Sequence, residues 1–133
     1  MTPHPLDPIT SREILAAVDI LKQHHPGRPI RFKVVDLYEP EKASLVPYLE
    51  SERLGTSLPP RPDRKARAYY HTLDDKSFYR SIVNLSTSAL DSCSPRNDIQ
   101  GPADSDEQIE MENICMEHPV VLQEIAKLKL PPE

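Results

Sequence analysis

The sequence predicts an α+β fold: a helix packed on a small antiparallel sheet, followed by a C-terminal helical segment. Three observations predict it. A capped amphipathic stretch begins at Thr10 and is broken at His25-Pro26-Gly27. Two later stretches, 30–37 and 64–85, alternate apolar and polar residues as half-buried strands do. Beyond a segment rich in Ser, Asp and Pro, helical patterning returns from Asp104.

The elements follow in order. Thr10 is followed three residues later by Glu13, the spacing of a capping box in which hydroxyl and carboxylate satisfy free backbone N–H groups reciprocally. Pro8 lies just outside the helix, where its missing N–H costs little. Ile14, Leu15, Ala17, Val18 and Leu21 fall within an arc of about 160°, with Arg12, Asp19 and Gln23 opposite. Ala16 and Ile20 lie off that stripe and predict a second, partly buried face. Ile30, Phe32 and Val34 then alternate with Arg31 and Lys33, with Val35 and Leu37 on the other face of the strand. Residues 42–53 predict a short helix with Leu45, Val46 and Leu49 on one side. Pro47 is expected to confine that helix to its first turns or to split it, and Gly55 to stop it. Leu58-Pro59-Pro60-Arg61-Pro62 reads as a stiff extended connector.

Residues 64–72 place Ala66, Ala68 and Tyr70 on one face of a strand and Lys65, Arg67, Tyr69 and His71 on the other. Leu73-Asp74-Asp75-Lys76 has turn chemistry. Residues 77–85 return with Phe78 and Ile82 opposite Tyr79, Val83 and Leu85, completing a hairpin. Residues 86–102 read as loop. Asp104 or Ser105 caps the next helix, and Asp106, Glu107 and Glu110 suit the positive end of its dipole. Met111, Ile114 and Cys115 share a stripe before His118-Pro119 breaks the helix and Pro119 opens another. Val121, Leu122, Ile125 and Leu128 give this last helix an apolar face, Lys127 and Lys129 a basic end, and Pro131 a stop.

A length of 133 residues allows one domain, or one domain and part of another. The net charge of −5 argues against nucleic acid as a partner, because a phosphate backbone needs a basic footprint. Fifteen prolines with three glycines make a stiff, loop-rich chain rather than a disordered one. No apolar run approaches the ~18 residues of a membrane-spanning helix, and no membrane partner is expected. The opening residues lack the basic and apolar regions of a signal peptide. A Cys93–Cys115 disulfide is allowed by count alone, but two cysteines without a secretory signal point to a reducing, intracellular compartment. Asn84-Leu85-Ser86 matches the glycosylation acceptor pattern, a chance match in that setting.

Candidate chemistry is sparse. His24-His25 is the only histidine pair, and adjacent helical residues point about 100° apart, so a polar helix end is expected rather than a chelate. His4, His71 and His118 are isolated in sequence. Asp74-Asp75 reads as a turn rather than an acid–base pair. Asp104-Ser105-Asp106-Glu107 lacks the glycine and the length of a calcium loop. Neither cysteine belongs to a C-x-x-C or nucleophile motif, and no H-E-x-x-H, H-x-H, G-x-S-x-G or P-loop pattern occurs. The residues alone assign no catalytic, cofactor-binding or metal-ligating position.

A resemblance adds to this. His4-Pro5-Leu6-Asp7-Pro8 opening the first helix, then Arg31-Phe32-Lys33-Val34-Val35-Asp36-Leu37 and Glu39-Pro40-Glu41-Lys42-Ala43, resemble the copper amine oxidases, the fungal branch above others. Residues 4–85 are similar to the second N-terminal domain of that family, a helix on a small antiparallel sheet in a cystatin-like arrangement. Gly101-Pro102-Ala103-Asp104, Cys115-Met116-Glu117-His118-Pro119-Val120-Val121 and Glu124-Ile125-Ala126-Lys127-Leu128-Lys129-Leu130-Pro131 are similar to the link into the third and its first helices. The resemblance therefore implies a second N-terminal domain over 1–100 and the incomplete start of the third over 101–133. Where the family carries a Gly-Lys-Val-type strand after Leu85, this chain reads Ser86-Thr87-Ser88-Ala89-Leu90-Asp91-Ser92-Cys93 and departs from the pattern.

The family reaction is the oxidative deamination of primary amines to aldehyde, ammonia and hydrogen peroxide, with copper and topaquinone. The family's catalytic domain supplies an Asn-Tyr-Asp/Glu motif whose tyrosine becomes the quinone, an Asp base, and three copper-binding histidines, two of them as His-x-His. Neither Asn-Tyr nor His-x-His occurs here, so no catalytic or metal residue is carried over. The resemblance implies the N-terminal structural part of a primary-amine oxidase, inactive alone. Copper and topaquinone belong to the full-length family, and the remaining oxidase domains are the partners. The alternative is a free-standing interaction module that kept the fold and lost the enzyme.

Overall fold

The capping box forms as the sequence predicts in a computed structural model that describes residues 3–96 and 98–129. Thr10 Oγ1 accepts from the Glu13 N–H, and Glu13 Oε2 accepts from the Thr10 N–H at 2.9 Å. From this cap α1 runs over Ser11–His24, with Ala17 and Leu21 completely buried. We expect Thr10→Ala to cost about 1 kcal/mol, the usual effect of losing such a cap, read as a lower urea midpoint with an unchanged slope.

The remaining elements are β1 (Ile30–Tyr38), α2 (Lys42–Leu54), β2 (Lys65–Thr72), β3 (Phe78–Asn84), β4 (Ala89–Pro95), α3 (Ser105–Glu117) and α4 (Pro119–Lys127). The strands form one antiparallel sheet in the order β1-β2-β3-β4. The chain divides into two units, Met1–Gly101 and Pro102–Glu133. The first holds α1, α2 and the sheet; the second holds α3 and α4. This is the α+β arrangement the sequence predicts.

Helix α1 lies on one face of the sheet. Ala17 and Leu21 meet Ala66, Ala68, Tyr70 and Val83 in a core from which water is excluded, with Ile9, Ile20, Ile30, Phe32, Val35, Tyr79, Leu85 and Leu90 around it. The small side chains of Ala66 and Ala68 leave room for the helix to approach β2 closely. Leu15 does not join this core: it is 63% exposed, because α1 meets the sheet along the narrower line through Ala17 and Leu21. The predicted inward and outward faces of β2 are both correct, since Ala66, Ala68, Tyr70 and Thr72 are all fully buried.

Two bulges set which residues of the outer strands face the helix. In β1 the register passes from Phe32↔Tyr70 to Val34↔Tyr69, leaving Lys33 extra. A bulge shifts the side-chain alternation by one. Val35 therefore joins Ile30 and Phe32 at the core, and Val34 is turned outward, reversing the face the simple alternation assigns to both. In β4 the register passes from Ile82↔Ser92 to Val83↔Leu90, leaving Asp91 extra. The predicted loop over 86–102 thus contains a strand. Leu90 and Cys93, three residues apart, are the partly buried positions of β4.

Helix α2 also departs from expectation. It continues through Pro47 to Leu54, where Gly55 adopts φ 65° and closes it in the left-handed conformation that glycine tolerates best. Its buried residues are Leu45 and Tyr48; Val46 is 48% exposed. Tyr48 and Glu52 reach the N-terminal segment, where the His4 ring lies 5.9 Å from Tyr48 and His4 Nε2 lies 3.3 Å from Glu52. The connector over 56–64 has no regular structure, and Pro62 within it is buried.

A buried ion pair joins these parts. Arg64 is 4% exposed. Its guanidinium donates to Glu13 Oε1 at 2.7 Å and Oε2 at 3.1 Å, and to the carbonyls of His4 at 2.5 Å, Asp7 at 3.1 Å and Pro8 at 3.4 Å. The Arg64 hydrogen bond, with the Thr10 cap bonds, holds the Glu13 carboxyl down at about 2.

In the second unit, Asp104 caps α3 in a second capping box with Glu107, and His118 lies between α3 and α4, with Pro119 in the first turn of α4. The expected stop at Pro131 lies outside the described residues. Among the described residues of both helices none is buried.

Candidate functional site

The C-terminal end of α1 brings together side chains that the sequence keeps far apart. His25 ends the helix with φ −118° and ψ 67°, outside helical geometry, so its ring turns in toward the sheet. It is 8% exposed, not a wet helix end. Its ring packs against Tyr79 at 5.1 Å and Tyr70 at 5.6 Å. His25 Nε2 is 2.9 Å from the Tyr70 hydroxyl. That hydroxyl is 3.0 Å from Ser81 Oγ and 3.4 Å from Cys93 Sγ. The Asp91 bulge aims Cys93 into this group, leaving its Sγ 3.9 Å from His25 Nε2.

Burial holds the His25 imidazole below its ordinary pKa range, and the neighbouring His24 and Arg28 charges add to the depression. Burial likewise raises the Tyr70 phenol, with the Cys93 contact adding to it. Both directions favour the uncharged forms of His25 and Tyr70 at neutral pH. A contact of 3.9 Å is weak even for sulfur, so this is not the geometry of a thiol–imidazole nucleophile. His24 completes the cluster from the exposed side, its ring edge-on to His25 at 4.9 Å. One ligand atom each from His24, His25 and Cys93 lies within 4.8 Å of the others. Among the described residues this is the one place where three such groups converge.

The other candidates take structural roles. Asp74 and Asp75 hold Arg28, at 2.7 Å and 2.5 Å, across the β2–β3 turn. The Arg28 hydrogen bonds lower the Asp74 carboxyl. Asp75 is lowered chiefly by the Thr72 hydroxyl and the Ser77 N–H. His71 packs on Phe78 at 4.6 Å, on the sheet face away from α1. Asp104 and Glu107 serve the cap of α3. Asn84 is 6% exposed; its amide donates to Asp63 and accepts from the Ser86 and Thr87 N–H groups, which occupies it within the fold. Cys93 and Cys115 are free thiols.

Comparison with known proteins settles the family. A family model described as "Copper amine oxidase, N2 domain" matches residues 4–96, most of the chain. The chain belongs to the copper amine oxidase family. Copper amine oxidase 1 of Aspergillus niger is 35% identical over 92 residues, covering 65% of this chain and 14% of that protein. The primary amine oxidase of an Arthrobacter species is 32% identical over 126 residues, covering 93% of this chain and 18% of that protein. A copper-containing benzylamine oxidase from Hansenula polymorpha superposes with a TM-score of 0.85 at 32% identity, over 98% of this chain and 20% of that one. This copper amine oxidase chain thus spans a fifth or less of the length of these relatives. No described helix is long and apolar enough to cross a membrane.

The residues present do not fit the family's cofactors. All five tyrosines follow a residue other than Asn, and no two histidines stand as His-x-His. The His24–His25–Cys93 group is a different donor set from three histidines.

Proposed function

We propose that this chain is the N-terminal structural part of a copper- and topaquinone-dependent primary-amine oxidase. Residues 1–100 are its second N-terminal domain and residues 101–133 the start of its third. The family match over 4–96 carries this reading, and the Arthrobacter alignment supports the continuation. The parent reaction is the oxidative deamination of primary amines to aldehyde, ammonia and hydrogen peroxide. The quinone takes up the substrate's electrons when the full protein holds it. This chain contributes no group to that chemistry, and the remaining oxidase domains are its partners. The exposed apolar side chains of α3 and α4 favour the same reading. Ile109, Met111, Ile114 and Val120 are each more than half exposed, a surface suited to a packing partner.

A free-standing interaction module is the second reading. It is favoured by the first unit alone, whose core residues Ala17, Leu21, Ala66, Ala68 and Val83 are fully buried with no help from further domains. In-frame DNA downstream of the Glu133 codon encoding Asn-Tyr-Asp/Glu and His-x-His decides for the oxidase and overturns the module. We expect the purified 133-residue chain to release no peroxide above blank from methylamine or benzylamine. Turnover with quinone absorbance would overturn its non-catalytic role.

A further inference from the structure

We propose that His24, His25 and Cys93 form a binding site for a thiophilic d10 cation, zinc(II) or copper(I), at the C-terminal end of α1. Nothing in this proposal depends on the domain reading above. The distances suit a metal. Bonds of about 2.3 Å to sulfur and about 2.0–2.1 Å to nitrogen, at angles of about 110–120°, place sulfur and nitrogen roughly 3.5–3.8 Å apart. Cys93 Sγ and His25 Nε2 are 3.9 Å apart, and all three ligand atoms lie within 4.8 Å of one another. The Cys93–His25 pair is already near ligand spacing, and turning the exposed His24 side chain about its torsions would bring in the third ligand atom.

The backbone explains how consecutive histidines can serve one ion. Within a helix their side chains diverge by about 100°. His25 has left helical geometry at the cap, and its ring meets that of His24 edge to face. The Asp91 bulge brings the thiol from the far edge of the sheet. Two separate departures from regular structure converge on one point.

The donor set selects the ion. One thiolate and two imidazoles favour zinc or cuprous copper over magnesium or calcium, which prefer oxygen. Copper(I) is satisfied by the three protein ligands. Zinc takes a water as its fourth ligand on the exposed His24 side. Metal binding replaces the hydrogen bond between His25 Nε2 and the Tyr70 hydroxyl, which keeps Ser81 Oγ, 3.0 Å away, as its partner. Binding releases the Cys93 thiol proton to solvent, one per ion, with no change of oxidation state.

The test uses the full chain carrying Cys115→Ser, reduced and under anaerobic conditions. Zinc is titrated against a chromophoric chelator in one arm and copper(I) against a cuprous chelator in the other. Cobalt(II) serves as the spectroscopic probe of thiolate ligation. We expect one equivalent of at least one of the two ions to bind with a dissociation constant below about 1 μM. Cobalt should show a sulfur-to-metal charge-transfer band that Cys93→Ser abolishes. His24→Ala should weaken binding at least tenfold; His24 is exposed, so circular dichroism will confirm an intact fold. Binding in only one arm identifies the ion. The absence of stoichiometric binding in both arms, or affinity unchanged in both His24→Ala and Cys93→Ser, would overturn the proposal.

Discussion

Arg64→Ala is expected to remove about 3–5 kcal/mol of stability, the usual cost of breaking a buried pair by deleting one partner. The loss arises from what the guanidinium leaves behind. Glu13 is 16% exposed at its side chain and keeps its charge without its partner, the carbonyls of Asp7 and Pro8 lose the guanidinium, and that of His4 is left with the Asp7 N–H. The same substitution should change the acid response. In the folded chain the Glu13 carboxyl sits at about 2, against an ordinary 4.5. A carboxyl lowered on folding stabilises the fold above its unfolded value, and that contribution is lost as pH falls from about 4.5 to about 2. Urea unfolding at pH 7 and at pH 3 should show a large acid destabilisation in the parent chain and a smaller one in the variant. Equal pH dependence in both would exclude Glu13–Arg64 as its source.

Leu21→Ala is expected to cost about 2–5 kcal/mol. Leu21 is completely buried between Ala17 on its own helix and Ala66, Ala68, Tyr70 and Val83 on the sheet. The two alanines below it are too short to fill the space, so little of the cavity closes. Leu15→Ala is the control. At 63% exposed, Leu15 should change stability by no more than about 0.5 kcal/mol, although the helical periodicity places both residues on one stripe. Circular dichroism in urea measures both; similar losses would mean that α1 meets the sheet along a different line.

That contrast marks what was legible in the sequence. The cap at Thr10, the alternation of 66, 68 and 70, and the hairpin turn at Asp74-Asp75 are local patterns, and local patterns survive in the fold. What depended on distant contacts was hidden. A charged residue beside a proline-rich connector reads as wet, yet Arg64 is buried because the 4–8 backbone and Glu13 converge on it. The β4 stretch is poor in strand-forming side chains and is held by backbone pairing to β3, with Leu90 and Cys93 turned inward by the Asp91 bulge. Lys33 carries no signal that it would interrupt an alternating run. Cys93 lies 68 residues from His25 in the chain, and only the bulge and the cap geometry bring them together. The candidate site was therefore the least legible part, since His25 and Cys93 both enter it by breaking a regular pattern.

The two bulges also govern how the sheet meets its surroundings. β1 and β4 are its outermost strands, and each bears its irregularity at a charged residue, Lys33 in one and Asp91 in the other. Outer strands with straight, unpaired backbone invite another chain to add alongside and start fibre growth. Here the kink breaks the spacing of the free backbone groups, the charge would have to be desolvated, and Pro95 removes a donor at the end of β4. The two bulges thus shorten the regular run that either border presents to an added strand.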